Sequence, residues 1–164
     1  MIMNKNWLNY ILEQLHREAF IWARQCCDYD DEMAKEVLQV VYLKMLEGRA
    51  HYREKSKVKT WLFSVIRFTA IDLRKERHHF IGLEGLANTV EEKNNDCDLD
   101  YEPLLRELSQ KQHQVLVLAF YHNMTLAEIA EVTGMTIGTV RTHYDRGKKA
   151  LKELILKEKA NGGR

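Results

Sequence analysis

"TLAEIAEVTGMTIGTVRTHYDRGKKAL", residues 125–151, decides how this chain reads. It splits at a glycine into two amphipathic segments. Thr125 to Glu128 spells a capping box, in which a hydroxyl and a carboxylate satisfy the first free N–H groups of a helix. Thr136 stands where the cap of a second helix belongs. Ala130, late on the first helix, is small enough to let the second cross closely. Gly134 sits at the corner, where a positive φ costs glycine least. Val140 faces back into the crossing, with Ile129 and Met135 filling the space beside it. The spacing Ala130, Gly134, Val140 is that of a helix-turn-helix.

The other side of the second helix carries Thr136, Gly138, Thr139, Arg141, Thr142, His143, Arg146, Lys148 and Lys149. Short hydrogen-bonding groups lie towards its N-terminus and cations follow. A helix placed N-terminus first in a major groove uses such groups in that order. Hydroxyls and Arg reach base edges, and the later cations meet phosphates. A helical corner without a ligand would also show a polar face. The coincidence of turn, caps and basic face favours DNA.

Upstream, "SQKQ" (Ser109–Gln112) is a second capping box, opening a helix with Val115, Leu116, Leu118 and Ala119 inside. A short helix at about 102–108 precedes it, with Pro103, the sole proline, in its first turn. "FIGLEGLANTVEEKNNDCDLD" (Phe80–Asp100) lacks periodicity and is rich in Gly, Asn and acids. Loops of this length are uncommon inside one compact domain. The chain therefore divides into a domain at 1–79, a flexible acidic linker at 80–101 and a domain at 102–164. The expected fold class is all-α, with two small helical domains.

The first domain reads as a bundle. One helix covers about 5–26, with Trp7, Ile11, Leu15 and Trp22 on its apolar side. A second covers about 31–47, started by Asp30 and Asp31 and followed by Gly48. After the basic loop "RAHYREKSK", Ser56 is placed to cap a third helix from about 57 to 78. Val58, Trp61, Leu62, Val65, Ile66, Thr69 and Leu73 form its expected buried stripe. Opposite lie Lys59, Thr60, Phe63, Arg67, Ile71 and Arg74. Aromatic groups mixed with cations on a wet face suit single-stranded nucleic acid, because bases stack while cations hold phosphates. An amphipathic helix with an untidy surface reads the same way.

Net charge is only +1, but it is segregated. Residues 44–79 carry ten Lys/Arg against four Asp/Glu, 81–110 two against eight, and 136–164 eight against three. No apolar run approaches the roughly 20 residues that span a bilayer, and the N-terminus lacks the apolar core of a signal peptide. A cytoplasmic location is expected. Three cysteines, two adjacent and one alone, suggest neither a disulfide framework nor a zinc site. Neither metal nor cofactor is expected.

"WLFSVIRFTAIDLRKER" (Trp61–Arg77) resembles the promoter-melting segment of bacterial RNA polymerase sigma factors, through Trp61, Leu62, Phe63, Asp72 and the closing basic cluster. "LSQKQHQVLVLAFYHNMTLAEIAEVTGMTIGTVRTHYDRGKKAL" (Leu108–Leu151) resembles their C-terminal promoter-binding domain. Both in this order, joined by an acidic linker, resemble the extracytoplasmic-function (ECF) subgroup. The resemblance implies that Glu36, Val37, Gln39, Val40 and Tyr42 dock on the clamp helices of core RNA polymerase, and that the C-terminal domain meets its flap. It implies capture of the melted −10 strand by Tyr52, Arg53, Lys55, Lys57, Lys59, Thr60, Phe63, Arg67, Arg74, Lys75 and Arg77. The helix from Thr136 would read the −35 element, and the linker would run through the active-site cleft. Promoter DNA, core polymerase and an anti-sigma factor, often membrane-bound, are the implied partners, with no small-molecule substrate. Four positions depart from the pattern: Val40 in place of an acid, Phe68 in place of Asn, His143 in place of a basic residue and Gly147 in place of Ala.

"TVRTH" also resembles the recognition helix of LuxR-type regulators. That alternative needs a receiver or ligand-binding domain of alternating strands and helices, and the first 100 residues read as helical and basic instead. An enzyme is disfavoured: no G-x-S-x-G, H-E-x-x-H or phosphate-cradling Gly loop occurs. His78 and His79 diverge on a helix end, and Cys26 and Cys27 read as a buried helix terminus.

Overall fold

A computed structural model describes residues 5–80 and 101–162. The expected linker at 80–101 lies, except for its two end residues, outside the described residues. Among those described there is helix and no strand. The chain divides into two compact units.

The first unit packs three helices, α1 (Lys5–Cys26), α2 (Asp31–Leu46) and α3 (Val58–Phe80), each against the other two. α2 starts as its sequence dictates: the Asp30 carboxylate accepts from Met33 N at 3.1 Å. α3 starts one residue later than expected. The Lys57 carbonyl accepts the first helical bond, from Trp61 N at 3.0 Å, so Lys57 takes the cap position and not Ser56.

The core holds Ile11, Trp22, Val37, Leu38, Val41, Met45, Leu62, Phe63 and Ile66. Trp22 and Phe63 stack with ring centroids 5.7 Å apart and planes 5° from parallel, and the Trp22 indole N–H donates to the Phe63 carbonyl at 3.0 Å. The α1–α2 corner puts Asp28 and Tyr29 at positive φ, 50° and 63°. Left-handed backbone costs non-glycine residues roughly 1–2 kcal/mol each. Cross-links at the corner offset that: Arg24 pairs with Asp31, and Arg74 pairs with Asp28 and donates to the Cys26 carbonyl.

The second unit contains α4 (Glu102–Arg106), α5 (Gln110–Leu116), α6 (Leu126–Thr133) and α7 (Ile137–Gly162). Ser109 caps α5 by accepting from Gln112 N at 3.3 Å, and Thr125 caps α6 by accepting from Glu128 N at 3.2 Å. α5 runs into a π-helical turn, Val117–Tyr121, which periodicity did not announce. At the α6–α7 corner Gly134 has φ +73° and its N–H donates to the Ala130 carbonyl at 2.9 Å. Val140 is fully buried in the crossing, as is Ile129. Gly147 is buried against α5: a Cβ there would lie 3.2 Å from the Leu116 side chain and 3.4 Å from the Gln112 Cβ. Its departure from the Ala of the related pattern thus follows from a close helix–helix approach.

Candidate nucleic-acid interface

In the second unit the candidate face is built by the N-terminal turns of α7. Thr136 caps the helix: its hydroxyl oxygen accepts from Thr139 N at 3.2 Å and lies 2.9 Å from the Thr139 hydroxyl. Thr136, Gly138, Thr139, Arg141, Thr142 and Arg146 are all exposed, with Gly138, Thr142 and Arg146 on the side opposite Val140 and Gly147 and Thr139 and Arg141 on its flanks. The Thr142 hydroxyl donates to the Gly138 carbonyl at 3.0 Å, which fixes its direction and leaves its methyl and a lone pair outward. Lys149 is exposed. Lys148 lies 4.3 Å over the Tyr144 ring, and Tyr144 stacks on Phe120 at 5.7 Å, so this cation is held on an aromatic shelf.

His143 departs from the expected picture. It is half-buried, and its Nδ1 is enclosed without a hydrogen-bond partner. The helix turns this position part-way towards the packed side, so the ring is not a freely presented reader.

In the first unit the structure separates residues that the sequence had grouped. Phe63 and Thr60 are not on a wet face: both are buried, Phe63 completely, in the core with Trp22. α3 is flanked by both α1 and α2, so its apolar contact is wider than a single stripe, and Trp61, Val65 and Leu73 lie only half-buried at its margins. Phe68 is an exposed aromatic of α3, 57% exposed, with Lys75 on the same ridge.

Several cations are engaged within the unit. Lys59 pairs with Glu18 at 2.9 Å and approaches the Phe63 ring. Arg77 pairs with Glu36 at 2.7 Å, and Arg74 fastens the α1–α2 corner. Arg67 is half-buried. Arg53, Lys55 and Lys57, on the loop between α2 and α3, are exposed. Tyr52 anchors that loop instead of presenting its ring: it packs on Trp7 and Trp61 and donates its hydroxyl to the Ser56 carbonyl.

On α2 the expected docking residues also divide. Val37 is fully buried in the core and cannot meet a partner. Glu36 is in its ion pair, and the Tyr42 hydroxyl lies 2.8 Å from His16 Nδ1. Burial pushes the Tyr42 phenol up to about 12. Gln39 is exposed and Val40 half-exposed. Leu43 and Leu46, which the sequence reading missed, are 51% and 60% exposed on the same side as Gln39. The available signal was a leucine pair falling outside the stripe of Val37, Val41 and Met45.

Cys26 and Cys27 are buried thiols. Burial raises the Cys26 thiol well above its usual value and pushes Cys27 up to about 12. Such groups stay protonated and unreactive at neutral pH.

Residues 11–79 match the Sigma-70 region 2 family, and residues 100–151 match the Sigma-70, region 4 family. The chain is 29% identical over 151 residues to RNA polymerase sigma factor SigV of Bacillus subtilis, covering 89% of this chain and 87% of that one. It is 30% identical over 139 residues to RNA polymerase sigma factor YlaC of the same organism, covering 78% and 80%. Its fold is similar to that of the sigma factor RpoE of Bartonella quintana, solved in complex with the anti-sigma factor NepR. That likeness has a TM-score of 0.75 at 20% identity and covers 93% of this chain and 98% of that chain.

Proposed function

Because this chain belongs to the RNA polymerase sigma factors of the ECF type, we propose that it directs core polymerase to promoters through two separate DNA contacts. The second unit reads the −35 element. Thr139, Arg141, Thr142 and Arg146 face base edges and nearby phosphates, and Lys148 and Lys149 meet the backbone. The observation that carries this reading is the exposure of those groups on α7, around the side away from the buried Val140 and Gly147.

The first unit captures the melted −10 strand. Arg53, Lys55 and Lys57 hold phosphates, and the exposed Phe68 offers the stacking surface that the buried Phe63 cannot. Gln39 and Val40, with Leu43 and Leu46, form the face offered to core polymerase. An apolar pair ringed by polar groups is the anatomy of such a docking patch. The protein lends sequence specificity and the polymerase does the chemistry, so the chain itself is not an enzyme. It works in the cytoplasm, where an anti-sigma factor holds it inactive by competing for these surfaces. A region 2 match over residues 11–79 leaves the LuxR-type reading without the sensory domain that it requires.

Run-off transcription with core polymerase on a genomic promoter library tests this reading. Transcripts that start only when the chain is added, downstream of a shared pair of −10 and −35 sequences, are the expected result. DNA recognition that proceeds equally well without core polymerase would instead return the chain to the regulator class.

A further inference from the structure

The loop that carries Arg53, Lys55 and Lys57 has no helix or strand of its own, and Glu54 at its tip has φ +58°. Like charges at its tip repel, and backbone in the left-handed region is unfavourable for Glu. Something must hold this conformation, and Tyr52 is the sole aromatic or large aliphatic residue between His51 and Lys57. Its hydroxyl donates to the Ser56 carbonyl at 2.5 Å, closing the loop across its neck. Its ring joins a cluster with two tryptophans. Trp7 of α1 stacks on it at 5.4 Å with planes 25° apart, and Trp61 of α3 packs at 5.4 Å, tilted by 50°. Trp7 and Trp61 also touch each other, at 5.8 Å.

Trp61 sits on the helix that follows the loop, so its position comes with the chain. Trp7 comes from the far end of α1 and has no covalent reason to be there. It supplies the outer wall of the three-ring cluster. We propose that Trp7 is a positioning residue for promoter opening: by stacking on Tyr52 it sets the shape of the loop that presents Arg53 and Lys55 to the melted strand. The inference rests on the strand-capture role given to that loop above. A pre-shaped loop captures an extruded strand without first losing its own conformational entropy, which is where such a clamp acts.

The test uses holoenzyme made from the full chain and core polymerase, on a promoter that it transcribes in the run-off assay. Opening is read by permanganate reactivity of the melted thymines, and closed-complex formation by low-temperature gel shift. Trp7→Ala should cut opening by roughly tenfold, the scale of one aromatic stack plus its burial, and leave closed-complex formation at the wild-type level. In the free chain, trypsin should cleave faster after Arg53 and Lys55. Trp7→Phe should restore both readouts. Trp7→Leu keeps the apolar bulk, and hence the fold, but should open poorly because Leu cannot stack.

Wild-type opening and trypsin resistance in Trp7→Leu would overturn the proposal. So would a parallel fall in opening, closed-complex formation and unfolding midpoint that Trp7→Phe does not repair. The Arg53→Ala, Lys55→Ala double variant separates the two layers. If it opens normally, the loop is not the strand-capture element. If it opens poorly while both Trp7→Ala and Trp7→Leu open normally, only the positioning role fails.

Discussion

The two units treat their cations differently. In the first unit Lys59, Arg74 and Arg77 are bound to Glu18, Asp28 and Glu36 of the same unit, whereas Arg53 and Lys55, on the loop before α3, are exposed. In the second unit Arg141, Arg146 and Lys149 are exposed along one helix face. A basic segment is therefore not a uniform nucleic-acid footprint. Where helices pack side by side, cations on their flanks cross-link the bundle. Where one helix projects a face away from its partners, the cations remain available to phosphates and bases.

That contrast can be broken most forcefully at Phe63. If it is core and not a base-stacking residue, Phe63→Ala should cost about 3–5 kcal/mol of stability in the first unit. Denaturant unfolding should show that unit melting early while the helix-turn-helix unit keeps its own transition. A normally stable variant with a specific loss of promoter opening would put Phe63 back on the DNA.

Arg141→Ala probes the other side of the contrast. It should leave the unfolding midpoint unchanged and weaken −35 recognition by about 1–3 kcal/mol, the worth of one good base contact. Competition binding of holoenzyme to promoters with altered −35 sequences measures it, and discrimination at one base pair should relax.

Arg74→Ala and Arg77→Ala sharpen the first-unit side. Arg74 holds a backbone carbonyl at a strained corner, so its loss should cost about 1–2 kcal/mol of stability. Arg77 is half-exposed in its pair with Glu36, so its loss should cost less than about 1 kcal/mol. Neither should change the salt dependence of promoter binding. A fall of about one unit in the salt slope for either variant would mean that it neutralises a phosphate.

A last effect concerns pH and is silent at neutral pH. The Cys27 thiol is raised from 9.0 to about 12 in the folded chain. The unfolded thiol loses its proton first, so the stabilisation is complete below about pH 9 and is lost as pH climbs towards about 12. Thermal unfolding followed from pH 8 upwards should show the first unit weakening with alkali, and Cys27→Ala should flatten that decline.

Much of the fold was legible because its signals are local. The caps at Asp30, Ser109 and Thr125, and the left-handed Gly134, each depend on residues within four positions. The exposed side of α7 was legible for the same reason, since Val140 fixes which way the helix is turned, although His143 falls part-way towards the packed side. The face of α3 was not. Periodicity locates the centre of a buried stripe but not its width, and the width depends on how many helices flank it. With α1 and α2 both packed on α3, Phe63 and Thr60 fall inside. Ion pairing of Arg74 and Arg77 links residues more than forty positions apart and leaves no local trace. Leu43 and Leu46 were passed over because an exposed leucine looks like a core leucine in sequence. The π-helical turn at Val117–Tyr121 reads as ordinary helix.

The central claim is a division of labour between a loop that captures a strand and a helix that reads a duplex. Holoenzymes carrying Arg141→Ala, or Arg53→Ala with Lys55→Ala, can be compared on one promoter supplied both as duplex and with its −10 region already unpaired. The account predicts that Arg141→Ala lowers closed-complex formation on both templates, whereas the loop variant binds the duplex normally and fails to hold the unpaired strand. Equal losses for both variants at both steps would contradict it.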